Sequence, residues 1–383
     1  MFVVQKRKLI LLYYTDYLHH IMVERLASEM SSFGIDVDVL CRSNYLVVRH
    51  SNVRWALYSE AFMWLLRHIR FVRNRKFSRI LFQKCLFSEI ASHYELVDFH
   101  VFSSNRIPLM RACLNRKIPF DITLWGSEIL RATPEHIARM EYGFAGCRYI
   151  KGSQNLLLEV SEKYVGRFNS KLRTVYFGQT DFENIDAIDD EIVISFRDHL
   201  SVHGGDCIIA CGYNAVHAQQ HLRILECLGS LPDDIKSSIF IILQMTYPSD
   251  SEYVNTVSRA ADKAGLRYKV FDSYLSCSDI ASIRKISDIV VNMQTTDAFA
   301  GSIQGALYAG DIVLSGEWLC YSILDDNNIY YLKVSFDNLV DTIKDVVSQM
   351  DYYRSNCSRN HAIMKNLTSW PAVIGDWATL YNA

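Results

Sequence analysis

The sequence predicts an α/β protein made of two doubly wound, Rossmann-like domains. Three observations support this prediction. Short apolar runs alternate with segments of helical periodicity, glycines close several of those segments, and a second alternating series begins after residue 206. Strands and helices that alternate in this way form parallel sheets with helices on both faces. With 383 residues, half of them apolar, the chain is long enough for two such domains.

The first series opens with a strand–helix–strand unit. A strand at 9–14 precedes a helix at 17–33, which Gly34 ends, and a second strand follows at 35–40. Further strands are predicted at 97–102, 120–124, 149–152 and 172–177. Residues 178–206 are rich in acids and lack a clear period. We therefore predict a first domain at 1–180 and a linker at 181–206.

The second series supplies the other domain, predicted at 207–355. Its strands are expected at 207–211, 239–245, 268–271, 289–293 and 312–314, and its helices at 217–228, 253–264, 277–285, 303–309 and 338–350. The last segment, 356–383, is predicted to be helical and to cross back to the first domain. Two such domains would face each other across a cleft, which suits a donor on one side and an acceptor on the other.

Composition narrows the class of protein. The net charge of −2 gives no general sign of nucleic-acid binding. The ten cysteines form no Cys-x-x-Cys pair, which argues against a zinc site and favours a reduced cytosolic environment. The apolar run at 9–14 is too short to cross a bilayer and no small-residue cleavage site follows it, so we expect no signal peptide.

The densest signal lies at residues 288–316. A buried strand ends in a polar loop that contains Thr296 and Asp297, and a Gly301-Ser302 step then opens a small-residue helix that Gly310 closes. Loops and helix N-termini at the carboxyl edge of a parallel sheet are where such folds bind nucleotides and their phosphates.

Several segments in order resemble the GT-B glycosyltransferases, in particular the large retaining group numbered four. That group has an apolar-Thr-apolar-His-Gly-Ser-Asp segment in its first lobe, matched here by Ile122 to Glu128. Its first lobe ends in Gly-Val-Asp, and its second opens with a strand and Gly-Arg; here Gly178-Gln179-Thr180-Asp181 and Gly212-Tyr213-Asn214 stand in those places. Its donor motif, Glu-x7-Glu, is matched in its first acid by Asp297.

The chain departs from that pattern at four points. Trp125 replaces the histidine, Tyr213 replaces the arginine that binds the donor diphosphate, and Gln219 or Gln220 lies where a lysine is usual. Gly305 stands where the second glutamate belongs, with Gln304 beside it. The resemblance leaves open whether the reaction is retaining or inverting.

The resemblance and the residue types together give the candidate site. The expected catalytic residues are Glu128, Asp297 and His217; the donor-binding residues are Gly212, Tyr213, Asn214, Gln220, Thr296, Gly301, Ser302 and Gln304; and the acceptor-binding residues are Asp16, His19, His20 and Trp125. Structural roles are the alternative: Asp297 as a turn or helix cap, Gln304 on the surface, and the histidines exposed. No catalytic metal and no cofactor is expected, since the nucleotide sugar is a substrate.

Residues 61–88 carry seven Lys and Arg residues and no acid, interleaved with large apolar side chains. Such a stretch fits docking on an anionic membrane surface, or alternatively a solvated helix with one core face. We predict a glycosyltransferase on the inner face of the cell membrane that moves a sugar from a UDP-linked donor to a lipid-linked glycan of a bacterial surface polysaccharide. The rivals are a nucleotide-sugar epimerase on the same fold, a solute-binding protein, and a non-catalytic partner of an active transferase.

Overall fold

The structure is a computed structural model that describes residues 8–14, 21–41, 47–49, 91–92, 94–103, 106–248 and 250–383. The chain divides into two compact units. Unit 1 comprises Met1–Gly178 with Val373–Ala383, and unit 2 comprises Gln179–Ala372. None of the helices in the described ranges combines the length and apolarity needed to span a bilayer.

Unit 1 contains a seven-stranded sheet. Its strands are β1 (Lys8–Tyr14), β2 (Ile35–Cys41), β3 (Val47–Arg49), β4 (Leu96–His100), β5 (Phe120–Thr123), β6 (Ile150–Gly152) and β7 (Leu172–Thr174). The order across the sheet is β3-β2-β1-β4-β5-β6-β7, with β3 antiparallel to β2 and the other described neighbours parallel. The helices that follow these strands are α1 (Ile21–Met30), α2 (Ile107–Asn115), α3 (Ser127–Leu130), α4 (Pro134–Gly146) and α5 (Gln154–Lys163).

Unit 2 contains a six-stranded, fully parallel sheet. Its strands are β8 (Cys207–Cys211), β9 (Ile239–Gln244), β10 (Tyr268–Phe271), β11 (Ile289–Asn292), β12 (Ile312–Gly316) and β13 (Leu332–Val334), in the order β10-β9-β8-β11-β12-β13. The central strands are buried along their whole length because helices cover both faces, which explains their nearly continuous apolar sequences. The helices are α6 (Thr180–Ala187), α7 (Asp190–His199), α8 (His221–Gly229), α9 (Asp233–Ser237), α10 (Ser251–Lys263), α11 (Cys277–Ile286), α12 (Gly301–Ala309), α13 (Ser322–Asp326), α14 (Leu339–Ser348), α15 (Met350–Cys357) and α16 (Asn360–Thr368). The last helix, α17 (Trp370–Asn382), begins in unit 2 and continues into unit 1.

The segment 181–206, predicted to be an irregular linker, is largely helical and belongs to unit 2. Helix α6 buries Phe182 and Ile185, three residues apart, and Asp189 caps α7 by accepting the Glu191 N–H at 2.8 Å. Acids in the first turn favour a helix N-terminus. The acidic residues that suggested a linker therefore include the start signals of two helices.

The C-terminal helix α17 ends in unit 1. Trp377 Nε1 donates to the Tyr176 carbonyl at 2.8 Å, and the Arg148 guanidinium donates to the Leu380 carbonyl at 2.9 Å. Tyr381 donates its hydroxyl proton to Asp98 Oδ2 at 2.7 Å. Of the predicted C-terminal segment 356–383, residues 373–383 thus pack in unit 1, whereas α15 and α16 lie in unit 2.

A fully buried ion pair lies beneath that helix. Lys151 Nζ on β6 is 2.6 Å from Asp98 Oδ2 and 3.2 Å from Asp121 Oδ2, and Thr123 donates to Asp98 Oδ1 at 2.9 Å. Burial alone would raise the pKa of Asp98, but Lys151 and His100 hold that pKa well below its usual range. A buried charge is tolerated when it is paired and hydrogen-bonded, and both conditions hold here.

Candidate functional site

The carboxyl edge of the unit 2 sheet has a topological switch point between β8 and β11. The chain winds outward from β8 through β9 to β10 and then returns to form β11 on the other side of β8. Ligands of open parallel sheets bind at such a point, because the loops leaving the two strands diverge there. The loops that follow β8 and β11 contain most of the residues predicted to bind the donor.

The loop after β8 is held by side-chain amides. Tyr213 donates its hydroxyl to Gln294 Oε1 at 3.2 Å, and Gln219 Nε2 donates to the same oxygen at 3.3 Å. Asn214 accepts the Val216 N–H at 3.0 Å in an Asx turn, and the Gln220 side chain donates to the Met293 carbonyl. Neutral side chains joined by hydrogen bonds therefore stand where the glycosyltransferase group that the sequence resembles has an arginine and a lysine.

Gly212 brings the backbone close to the first residue of α8. Its φ is +67°, a conformation that residues with side chains rarely adopt. A β-carbon there would lie 2.6 Å from His221 Nε2 and 3.2 Å from Gln219 Oε1. Only glycine fits at this position without moving its neighbours.

The two histidines of this segment differ in environment. His217 is largely exposed; its ring stacks on Tyr253 at 3.8 Å and its Nε2 lies 3.8 Å from Asp250 Oδ2. His221 is fully buried, with Nδ1 3.2 Å from the Tyr253 hydroxyl. Burial lowers the pKa of His221 to about 4, so this ring is neutral at pH 7.

Asp297 is held in the loop after β11. Its carboxylate accepts the Ala300 N–H at 3.2 Å, as expected of a turn or cap, and also accepts the Tyr321 hydroxyl proton at 2.5 Å. Burial raises the pKa of Asp297, whereas the hydrogen bond from Tyr321 lowers it. The preceding Thr296 is half-buried. Asp297 therefore caps the turn before α12 and also lies beside the switch point.

The helix after this loop, α12, starts at Gly301, directly beyond Asp297 and Ala300. Among the described residues, Ser302 Oγ and Gln304 Oε1 are shielded from solvent and lack a hydrogen-bond partner. Gln304 is not on the surface; it is 4% exposed and its Nε2 donates to the Phe299 carbonyl at 2.9 Å.

Gly305, at the place of the missing second acid, faces two charged side chains of unit 2. A β-carbon on Gly305 would lie 3.4 Å from Arg284 Nε and 3.6 Å from Asp181 Oδ2. Arg284 is 3% exposed, and burial lowers its pKa while Asp311 and Asp181 oppose that change. A glutamate side chain at 305 would have to displace this cluster, so the glycine agrees with its surroundings.

The unit 1 candidates lie at the carboxyl ends of β4 and β5. Glu128 on α3 is 7% exposed, and its two oxygens accept the N–H groups of Trp125 at 2.6 Å and Gly126 at 2.8 Å. Burial raises the pKa of Glu128, and the Trp125 N–H lowers it. Trp125 Nε1 lies 3.4 Å from Nδ1 of the buried His100, whose other ring nitrogen is 3.2 Å from Asp98. Glu128 therefore fixes the turn that carries Trp125.

Part of the predicted site lies outside the described residues. This applies to the acceptor-binding candidates Asp16, His19 and His20 and to the basic stretch at 61–88. Within the ranges that are described, no cluster of three or more His, Cys, Asp or Glu residues is arranged to hold a metal ion.

Sequence reasoning missed the residues that position the predicted ones. Tyr321 lies 24 residues beyond Asp297, in the loop after β12, and Asn292 Nδ2 donates to its hydroxyl at 2.8 Å. Gln294 links Tyr213 and Gln219. The available signal was polar residues at the end of an otherwise apolar strand: Asn292 and Gln294 flank Met293 where β11 ends.

Comparison with known proteins agrees with this architecture. No protein-family model matches the chain, and no curated protein matches it significantly. Solved structures do match over nearly the full length. A glycosyltransferase from Rickettsia africae has a TM-score of 0.74 at 15% identity, covering 99% of this chain and 98% of that one. HepE from Anabaena in complex with UDP and glucose has a TM-score of 0.72 at 14% identity, covering 98% and 100%. WaaG, a glycosyltransferase involved in lipopolysaccharide biosynthesis, has a TM-score of 0.64 at 11% identity, covering 98% and 100%. The chain therefore has the α/β GT-B fold, as predicted.

Proposed function

We propose that this protein is a glycosyltransferase, akin to the retaining group numbered four, that binds a UDP-sugar at the carboxyl edge of the unit 2 sheet. One observation carries the proposal. Buried polar atoms without a partner among the described residues gather around the loops after β8 and β11: His221 Nε2, Gln219 Oε1, Ser302 Oγ and Gln304 Oε1. Because an unpaired buried polar atom is costly, such a group is best explained by a polar ligand that pairs with it.

The diphosphate of the donor would be held without a cation. Residues 212–221 contain no Lys or Arg, so the donors to phosphate are the N-terminal N–H groups of α12 at Gly301 and Ser302, the Ser302 hydroxyl and the neutral His221. A helix N-terminus attracts an anion through its free N–H groups and its dipole. The HepE complexes with UDP and UDP-glucose, which share this fold, support the choice of donor.

Asp297 is the proposed carboxylate at the reacting end of the donor, and His217 the proposed proton donor or charge stabiliser for the leaving group. Glu128, whose oxygens both accept backbone N–H groups, would contribute by holding Trp125 against the acceptor. No metal step is included in this mechanism. We infer a hexosyl group as the transferred sugar.

The acceptor would be a glycan on a lipid carrier in the synthesis of a surface polysaccharide, as the lipopolysaccharide role of WaaG suggests. The protein would then work at the inner face of the cell membrane, docked through residues 61–88, while Asp16, His19, His20 and Trp125 contact the acceptor. Vesicle co-sedimentation with and without anionic lipid tests the docking.

The proposal is tested by calorimetric titration with UDP, GDP, CMP and dTDP and their sugars. We expect UDP to bind, and Asp297→Asn to lower turnover of a UDP-sugar by at least tenfold. Asp325→Asn is the matched control, because Asp325 likewise accepts a tyrosine hydroxyl, from Tyr331 at 2.8 Å, but on the surface. If no nucleotide binds, the proposal is wrong. Conversion of a UDP-sugar into its epimer without acceptor would instead identify an epimerase.

A further inference from the structure

Three side chains form a directed hydrogen-bond chain that ends on Asp297. Asn292, the last residue of β11, donates through Nδ2 to the Tyr321 hydroxyl at 2.8 Å. The Tyr321 hydroxyl has one proton, and that proton goes to Asp297 Oδ2. Because an amide N–H₂ can only donate, Asn292 fixes the direction of the chain. Tyr321 is fully buried and Asn292 is 1% exposed, so water does not compete for these groups.

Packing fixes the position of the tyrosine ring. Phe299 contacts it with a ring separation of 5.6 Å, and Tyr331 contacts it edge-on at 6.4 Å. The hydroxyl therefore has little freedom to leave Asp297, and the carboxylate is held by both the Tyr321 hydroxyl and the Ala300 N–H.

Two tyrosines face Asp297. Among the described residues, Tyr213, from the loop after β8, and Tyr321, from the loop after β12, interact electrostatically with the Asp297 carboxylate. Both are neutral at pH 7, since burial raises the pKa of each. Hydrogen bonds favour the ionised form of Asp297 against the effect of burial, and the one from Tyr321 is short.

We propose that Tyr321 is the positioning residue of the donor site: held by Asn292, it fixes the orientation of the Asp297 carboxylate and stabilises its ionised form. This inference rests on the proposed function for its catalytic consequence, but the coupling between the two side chains exists independently of activity. Tyr321 itself need not touch the substrate.

The first experiment is a double-mutant cycle on stability in the full chain, with urea unfolding of the wild type, Tyr321→Phe, Asp297→Asn and the double variant at pH 5 and pH 8. At pH 8 we expect Tyr321→Phe to lower the free energy of unfolding about twice as much in the wild-type background as in the Asp297→Asn background. The reason is that a hydrogen bond to an ionised acceptor is about twice as strong as one to a neutral acceptor. Equal costs in both backgrounds overturn the proposal, whatever the protein's activity.

The second experiment measures kcat/KM for the UDP-sugar against pH. Tyr321→Phe should move the acidic limb of the profile to higher pH, so that activity falls about ten- to a hundredfold at low pH and less at high pH, with UDP affinity unchanged. Tyr268→Phe, which removes a surface hydroxyl that donates to Asp262 at 2.9 Å, should leave the profile in place. An unmoved profile in Tyr321→Phe overturns the catalytic part of the proposal. A wild type that neither binds nucleotide nor turns over overturns the proposed function instead, and with it the catalytic role of Tyr321.

Discussion

Replacing Gly212 by alanine gives the sharpest test of the proposed donor site at the loop after β8, because the chain provides a matched control. Gly212 and Gly265 both have φ of +67° and both lie in unit 2. A β-carbon on Gly265 would meet nothing within 4 Å, whereas one on Gly212 would lie 2.6 Å from His221 Nε2. The two alanine variants thus share the backbone penalty and differ in the collision.

The expected magnitudes follow from that difference. A non-glycine residue in the left-handed region costs roughly 1–2 kcal/mol, which applies to both variants. Gly212→Ala must in addition displace the buried His221 ring from the Tyr253 hydroxyl, 3.2 Å from Nδ1. Forcing an extra methyl group into a packed site costs about 1–3 kcal/mol more. We expect Gly212→Ala to be the less stable variant by that amount.

The assay is urea unfolding of both variants, combined with calorimetric titration of UDP into the folded proteins. Gly265→Ala should bind UDP like the wild type, and Gly212→Ala should bind it at least tenfold more weakly. Equal losses of stability would refute the steric argument. Wild-type UDP affinity in Gly212→Ala would refute the placement of the donor at this loop.

Three further predictions concern buried groups and charge. Because the pKa of His221 is lowered from an unfolded value near 6.5 to about 4, the unfolded state takes up its proton first as the pH falls. Through this residue, the free energy of unfolding should therefore fall by about 3 kcal/mol from pH 7 to pH 4. His221→Gln should abolish that part of the pH dependence in urea unfolding. Tyr381→Phe removes a buried hydrogen bond to Asp98 and should cost about 1.5–3 kcal/mol; a loss below 0.5 kcal/mol would contradict its place in the ion-pair cluster. UDP affinity should change less than threefold between 50 and 300 mM salt, since no Lys or Arg lies in residues 212–221; a steep decrease would point to a cationic phosphate site.

The sheet of unit 2 could be predicted closely because its strands are buried on both faces. The strands at 207–211 and 268–271 have their predicted bounds, and the other three predicted strands differ by one or two residues at their ends. The short edge strand β13 was not predicted. Apolar runs bounded by polar residues leave few alternatives for such strands. Helix α8 was predicted to begin at 217, but a 3-10 turn and Gln220, with φ of +59°, separate His217 from it. That interruption depends on the bond from Gln220 to Met293 in another loop, which no local pattern reveals.

Candidate site residues could be chosen only where a motif marked them. Asp297 and Gly301 became candidates because a strand end and a glycine step precede a helix. Tyr321 could not, because its relation to Asp297 exists only once β11 and β12 pair as neighbours, with Asn292 opposite Ser315. Acidic residues misled in the opposite direction at α6 and α7, because the acids at the start of these two helices resemble the composition of a linker.

The departures from the family pattern are linked to each other in space. Tyr213 and Gln219, which lie where an arginine and a lysine would be expected, donate to one and the same oxygen of Gln294. Gln220 in turn binds the carbonyl of Met293, the residue before Gln294. An arginine at position 213 would place a cation among neutral partners and break this network, so the residues at these positions depend on one another. A chain that had merely lost its donor site would not be expected to keep such a network, together with unpaired polar atoms beside it. This supports the proposed function, with neutral recognition of the diphosphate, over the alternative of a non-catalytic partner.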